Sequence, residues 1–317
     1  MLGILLAGCG APETPGNTER LPNLMVMSGP TGVGAAKLLA DHDAAAEGEK
    51  ILASAAVVAD NTAITSALIN GEADIAAIAT NMASTLYQKT NGDLQVLTIN
   101  TMGVLYILEK GNSVSSMADL KGKTVYATGQ GANPEYILNH LLTSNGVSPS
   151  EVDIQWMTAQ EVTAAMTTAT EAICMLPVPA ATALMIKDSG VRQAISLSEV
   201  WDQLGNGALS QGCIVVRKSY AQANPQAVAN FLKAYEASIT YMKAEENRAD
   251  AAALVAQYGI TANAAIAAKA IPQCNLTFIT GQQMKDILSA FLTVMHTANP
   301  ASIGGALPKD DFYYGIG

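Results

Sequence analysis

Positive charge is what this chain has least of. Only four of its 317 residues are Arg, and 17 Lys and Arg face 27 Asp and Glu, for a formal net charge of −10. No basic stripe is present, which excludes nucleic acid as a partner. Aromatic residues make up 5% of the chain, too few for a run of stacking platforms. No apolar run approaches the ~20 residues that span a bilayer. The three His residues, His42, His140 and His296, lie far apart, and the four Cys form no CxxC pair, so no metal site is expected. With Cys9 set aside, Cys174, Cys213 and Cys274 are an odd number, so at least one is free within the chain. Cys174 and Cys213 sit in apolar, strand-like surroundings and read as buried core thiols. No GxSxG motif, strand-end His or acid–base pair is visible, so no enzyme and no cofactor are expected.

What is abundant is Ala, Gly, Ser and Thr, within a chain that is half hydrophobic and long enough for two domains. Strand-like and helix-like segments alternate. Strands are expected at Leu24–Ser28, Ile51–Val58, Asp74–Ala79, Lys123–Ala127, Asp153–Met157 and Ile173–Leu176, with a long β-rich stretch at Leu94–Leu108. Helices are expected at Ala35–Asp41, Thr62–Asn70, Pro134–Ser144 and Gln160–Thr168. From Tyr220 onward the chain reads as mainly helical, at Pro225–Ala244, Ala249–Tyr258 and Gly281–Thr297. This is an α/β pattern with mostly parallel sheets. NTAITSALINGEADIAAIAT is weakly echoed by QEVTAAMTTATEAICMLPVP, which suggests two similar lobes around a cleft. Ligands in such folds bind beyond the carboxyl ends of strands.

Two Gly-rich turns stand at such ends. Thr128–Ala132 precedes a helix with Asn133 as the expected N-cap, Pro134 at its first position and Gly146 beyond its end. Its backbone N–H groups and the helix dipole would form a cradle for a small polar or anionic ligand. The other turn, GPTGVGAAK at Gly29–Lys37, is close to a P-loop. Its Lys comes two residues late, about 200° around the helix, and Ala35 and Ala36 occupy the required positions. Nucleotide binding is therefore not expected, although Pro30–Gly34 would still offer backbone N–H donors, and neither is a Rossmann cofactor, because Pro134 stands where that fingerprint wants Gly or Ala.

The N-terminus adds a location. Leu6-Ala7-Gly8-Cys9 matches a lipobox, and the Pro- and Gly-rich segment after it reads as a tether. Cys9 would carry lipid. Only eight residues precede it, none of them Lys or Arg, so a longer precursor is expected.

DLKGKTV with GQGANPEYILNHLLTSNGV, ALINGEADIAAI, MLPVP and PKDDFYYG together resemble the nitrate/sulfonate/taurine-type and thiamine-pyrimidine-type solute-binding proteins of ABC importers. The resemblance runs from about Leu21 to Gly317 and implies a two-lobed type 2 periplasmic-binding-protein fold with two hinge strands. The expected division is 1–22 signal remnant and tether, 23–104 plus 214–317 lobe one, and 105–213 lobe two. The chain would cross between lobes near Gly103–Tyr106 and Gly212–Val215. Val178 stands where relatives often carry an acidic residue, and Ala172 echoes Asp74. The resemblance implies an extracytoplasmic protein, lipid-anchored to the outer face of the cytoplasmic membrane or periplasmic. It would be a monomer that closes on a small solute and hands it to a membrane permease. That solute would be a sulfonate- or nitrate-like anion or a small heteroaromatic. An enzyme of cofactor biosynthesis on the same fold and a ligand sensor are the alternatives.

Strand ends then supply the candidate ligand-binding residues. Lobe one offers Ser28, Gly29, Pro30, Thr31, Thr80, Asn81 and Thr101. Lobe two offers Thr128, Gly129, Gln130, Gly131, Ala132, Asn133, Pro177 and Val178. Tyr106 and Trp201 read as core or rim aromatics more than as stacking platforms for a ring.

Overall fold

The computed structural model describes residues 19–59 and 61–316. Cys9 and most of the expected tether lie outside the described residues. The first part of the chain runs β1 (Asn23–Met27), α1 (Pro30–Val33), α2 (Ala36–Ala44), β2 (Ser54–Val58), α3 (Asn61–Asn70), β3 (Ile75–Ala79), α4 (Thr80–Lys89) and β4 (Gln95–Met102). Next come β5 (Leu105–Lys110), β6 (Thr124–Ala127), α5 (Asn133–Ser144), β7 (Asp153–Trp156), α6 (Ala159–Thr168), β8 (Ala172–Pro177), α7 (Ala180–Lys187), β9 (Val191–Ser196) and α8 (Leu197–Gln203). The last part holds β10 (Ser210–Val216), α9 (Lys218–Ala223), α10 (Pro225–Lys243), α11 (Arg248–Gln257), α12 (Ala264–Ala270), β11 (Leu276–Ile279) and α13 (Gly281–Ala298).

These strands form two sheets. The first has the order β11-β4-β10-β3-β1-β2 and the second β7-β6-β8-β5-β9. Strands buried on both faces read as unbroken apolar runs: β3 is IAAIA, and all seven residues of β10 are buried. The sheets are mixed rather than mostly parallel as expected: pairs such as Leu24↔Ile75 and Val125↔Ile154 are parallel, while β10 inserts antiparallel between β3 and β4, and β5 antiparallel between β8 and β9.

Beneath the first sheet, Asp74 is fully buried and held by paired bonds from Arg20 at 2.9 and 2.5 Å, with Arg217 at 3.7 Å. A buried carboxylate needs such partners, because removing one leaves an uncompensated charge. The pair pins the start of the described chain to the sheet.

The chain leaves the first sheet through Gly103 and Val104, between β4 and β5. It has returned before Ser210, by way of α8 and residues 204–209. Gly212–Val215, the expected return crossing, lies instead inside β10, where Gly212 faces Ala79 and Ile214 faces Ala77. The apolar run GCIVV is a central strand that needs partners on both sides, and a crossing cannot supply them. The two crossings touch: a Cβ on Gly103 would lie 2.1 Å from Ser198 Oγ and 3.0 Å from Leu209 Cδ2.

The sheets share one core. Ile137, Leu138 and Leu141 of α5, Trp201 of α8, and Leu288, Phe291 and Leu292 of α13 belong to a single buried cluster. Trp201 is fully buried between His140 (5.3 Å) and Phe291 (5.6 Å), which makes it a core residue. Cys174, Cys213 and Cys274 are free and buried. Burial pushes the Cys174 and Cys274 thiols up to about 12, and the Cys213 thiol up as well, so all three are inert as nucleophiles.

Candidate functional site

On the side away from the α5–α13 contact, the lobes enclose a cavity of 550 Å³. The first lobe contributes Ser28, Gly29 and Pro30 from the turn after β1, and Ile260, Thr261, Ala262 and Ile266 from the α11–α12 connection and α12. The second contributes Ala159, Gln160 and Thr163 of α6, Pro177 and Pro179 at the end of β8, and Ala180, Ala183 and Lys187 of α7. The α7 residues recur at three and four positions, one face of a helix. A capping box starts α6, with the Thr158 hydroxyl accepting from the Glu161 N–H at 3.3 Å. Ser28 Oγ donates to the Gly259 carbonyl at 3.4 Å, tying the two first-lobe segments together.

The walls are mostly aliphatic. Among the described lining residues Lys187 carries the only charge, and none is Cys, His, Asp, Glu or aromatic. Within the lining set the hydroxyls of Ser28, Thr163 and Thr261 have no His, Asp or Glu beside them to act as a general base. Such a chamber can desolvate an apolar body and hold one polar head.

The fifteen candidate residues divide into five groups. Ser28, Gly29, Pro30 and Pro177 line the cavity. Thr31 and Thr101 lie behind it: the Thr31 carbonyl accepts from Asn100 Nδ2 at 2.9 Å, and Thr101 Oγ1 approaches the Pro30 carbonyl at 3.5 Å. Val178 is buried in the first lobe's core, with its N–H on the Val104 carbonyl at 3.0 Å. Thr80, Asn81 and Asn133 meet at a separate buried seam, where Thr80 Oγ1 sits 3.0 Å from Ser210 Oγ. Thr128, Gly129, Gln130, Gly131 and Ala132 do not line the cavity.

Both turns spend donors internally. The Gly32 N–H goes to the Gly29 carbonyl at 3.0 Å, and Pro30 has none to give. The Gly131 N–H donates to Glu135 Oε2 at 2.6 Å. Asn133 does not cap α5: the N-cap is Ala132, without a side-chain bond, and Asn133 reaches across to the other lobe. Lys37 pairs with Asp41 one helical turn on and lies over the Tyr241 ring, far from P-loop service. Reading strand ends misses α6, α7 and residues 260–266. The ends of β7 and β8 lead into α6 and α7 by the same rule, whereas the 260–266 segment arrives by tertiary packing, for which the sequence has no local signal.

Residues 94–249 match the family described as NMT1/THI5 like. The matched segment takes in the whole second sheet and both crossings. Among curated proteins there is no match. Solved structures align over most of the chain. An ABC transporter from Parabacteroides distasonis has a TM-score of 0.76 at 22% identity, covering 92% of this chain and 98% of its own. The periplasmic aliphatic sulphonate binding protein SsuA from Escherichia coli has a TM-score of 0.73 at 16% identity, with 94% and 92% covered. The periplasmic nitrate-binding protein NrtA from Synechocystis PCC 6803 has a TM-score of 0.62 at 13% identity, with 87% and 81% covered. At these identities the likeness carries the fold, which is the two-lobed type 2 periplasmic-binding-protein fold. Among the described residues no helix is long and apolar enough to cross a membrane.

Proposed function

We propose that the chain is the extracytoplasmic capture protein of an ABC importer, held to the membrane by lipid on Cys9. It closes two lobes on a small solute and delivers it to a permease. The lobes follow the sheets, with 23–102 and 210–316 in one and 105–196 in the other. The observation that carries this reading is the 550 Å³ cavity lined from both lobes, with aliphatic walls and one Lys. Pockets of ~300–1,000 Å³ suit organic ligands, and a bare nitrate would leave most of this one empty. Lys187 suits a single anionic head, so the solute is an organic anion with an apolar body, of the alkanesulfonate kind. Micromolar capture needs about −8 kcal/mol. Desolvation of the solute body against Pro177, Ala180, Ala183 and Ile266 supplies the larger share.

A thermal-shift screen of short alkanesulfonates, carboxylates, nitrate and pyrimidines tests this. Sulfonates with an alkyl body should raise the melting temperature, nitrate should not, and neither should be consumed. Chemical turnover of any probe would instead indicate an enzyme on this fold.

A further inference from the structure

Where α5 meets the first lobe, three amide-bearing residues come together. Asn133 is the first residue of α5, Asn81 lies in the first turn of α4, and Gln211 is in β10. Asn133 is fully buried. Its Oδ1 accepts from the Asn81 backbone N–H at 3.3 Å, and its Nδ2 donates to the Gln211 carbonyl at 2.9 Å. This orientation admits no flip, because a backbone N–H only donates and a carbonyl only accepts. Both bonds cross from the second lobe to the first.

An Asn in this place would ordinarily cap its helix. Here the cap position falls to Ala132, and the carboxylate of Glu135 takes the Gly131 N–H. That frees the Asn133 amide for the interface. Two opposing features sit on the residues it grips: Asn81 Oδ1 and Gln211 Oε1 are buried and have no hydrogen-bond donor among the described residues. Buried acceptors without donors disfavour the arrangement that buries them. The lobe arrangement seen here thus carries a bond pair that favours it, on residues that also hold two buried acceptors without a donor among the described residues.

We propose that Asn133 is a positioning residue that sets the open–closed balance of the cleft, acting as a latch between the lobes. Solute affinity then depends on it without contact, since apparent affinity scales with the fraction of chains in the binding-competent form. The latch can be read without any solute, so it stands or falls separately from the capture reading.

The test is small-angle X-ray scattering of the solute-free full chain, with hydrogen-exchange mass spectrometry beside it. Asn133→Leu keeps the branched outline of the side chain and removes both amide groups. Asn133→Asp keeps the acceptor and loses the donor. Each variant should shift the radius of gyration. Exchange should also change at least threefold in α7 and α12, which face each other across the distant cleft mouth. Circular dichroism checks folding, and Asn133→Ser replaces any variant that does not fold. An unchanged radius in folded variants, with faster exchange confined to 80–89, 133–144 and 210–216, would mean a local structural role and overturn the latch.

Discussion

The two Gly-rich turns obey the same sequence logic and end in different work. The turn after β1 is packed from below: a Cβ on Gly32 would lie 2.2 Å from the Met27 carbonyl oxygen and 3.1 Å from Val26 Cγ1. That close approach lets Ser28–Pro30 form one wall of the cavity. The turn after β6 has open space around Gly131, whose φ of +74° is the reason for its glycine. Its N–H is occupied by the chain's own Glu135. A glycine demanded by packing and a glycine demanded by backbone angle look alike in a sequence. The first kind builds a wall. The second frees Asn133, just beyond it, to bridge the lobes.

This contrast can be broken by substitution. The largest effect is expected at Gly32→Ala, where backbone blocks the new methyl group. About 3 kcal/mol of stability should be lost, read as a lower denaturation midpoint. If Gly32→Ala and Gly131→Ala cost the same, the contrast fails. Gly131→Ala should cost about 1 kcal/mol, through the left-handed backbone alone. Smaller still, Glu135→Gln should cost about 0.3–1 kcal/mol through lost charge at the α5 N-terminus, again by denaturant titration.

Acid sharpens a second comparison, between the far end of lobe two and the lobe contact. Burial alone would raise the Glu109 carboxyl, but bonds from the Ser113 N–H and hydroxyl, the Val114 N–H and Arg192 bring it below its ordinary 4.5. Its stabilisation is present above pH 4.5 and is lost as pH falls through the lower folded value. His140, whose Nε2 lies 3.0 Å from Asn206 Nδ2, is pulled below its ordinary 6.5 by burial. The folded state prefers it neutral, so stability drains away as pH falls below 6.5. Melting temperature should therefore decline in two stages. His140→Gln should erase the first stage and leave the second, and a single decline in both chains would refute the assignment.

Much of the fold was legible because period and turn signals agree. The strands at Asp153 and Ile173, and the helices starting near Thr62, Pro134 and Gln160, fall within two residues of their observed starts. Where one signal was missing, the reading failed. Helix α4 begins at Thr80 directly after β3 ends at Ala79, so no turn residue separates them. The stretch Leu94–Leu108 reads as one β segment, yet Gly103 and Val104 split it between two sheets. For the site, strand ends located Ser28–Pro30 and Pro177. Ala183 and Ile266 belong to helices that meet only by tertiary packing, and Asn133 looked like an ordinary cap because its partners, Asn81 and Gln211, are distant in sequence.

The central claim is that a solute is held between α7, α6 and the turn after β1. Native mass spectrometry of the wild-type chain and Ala183→Phe, side by side with an alkanesulfonate series, tests it most directly. The account predicts one solute per wild-type chain and at least tenfold weaker binding in the variant, about 1.4 kcal/mol, with an unchanged fold. Equal binding by both chains would place the solute elsewhere and contradict the account.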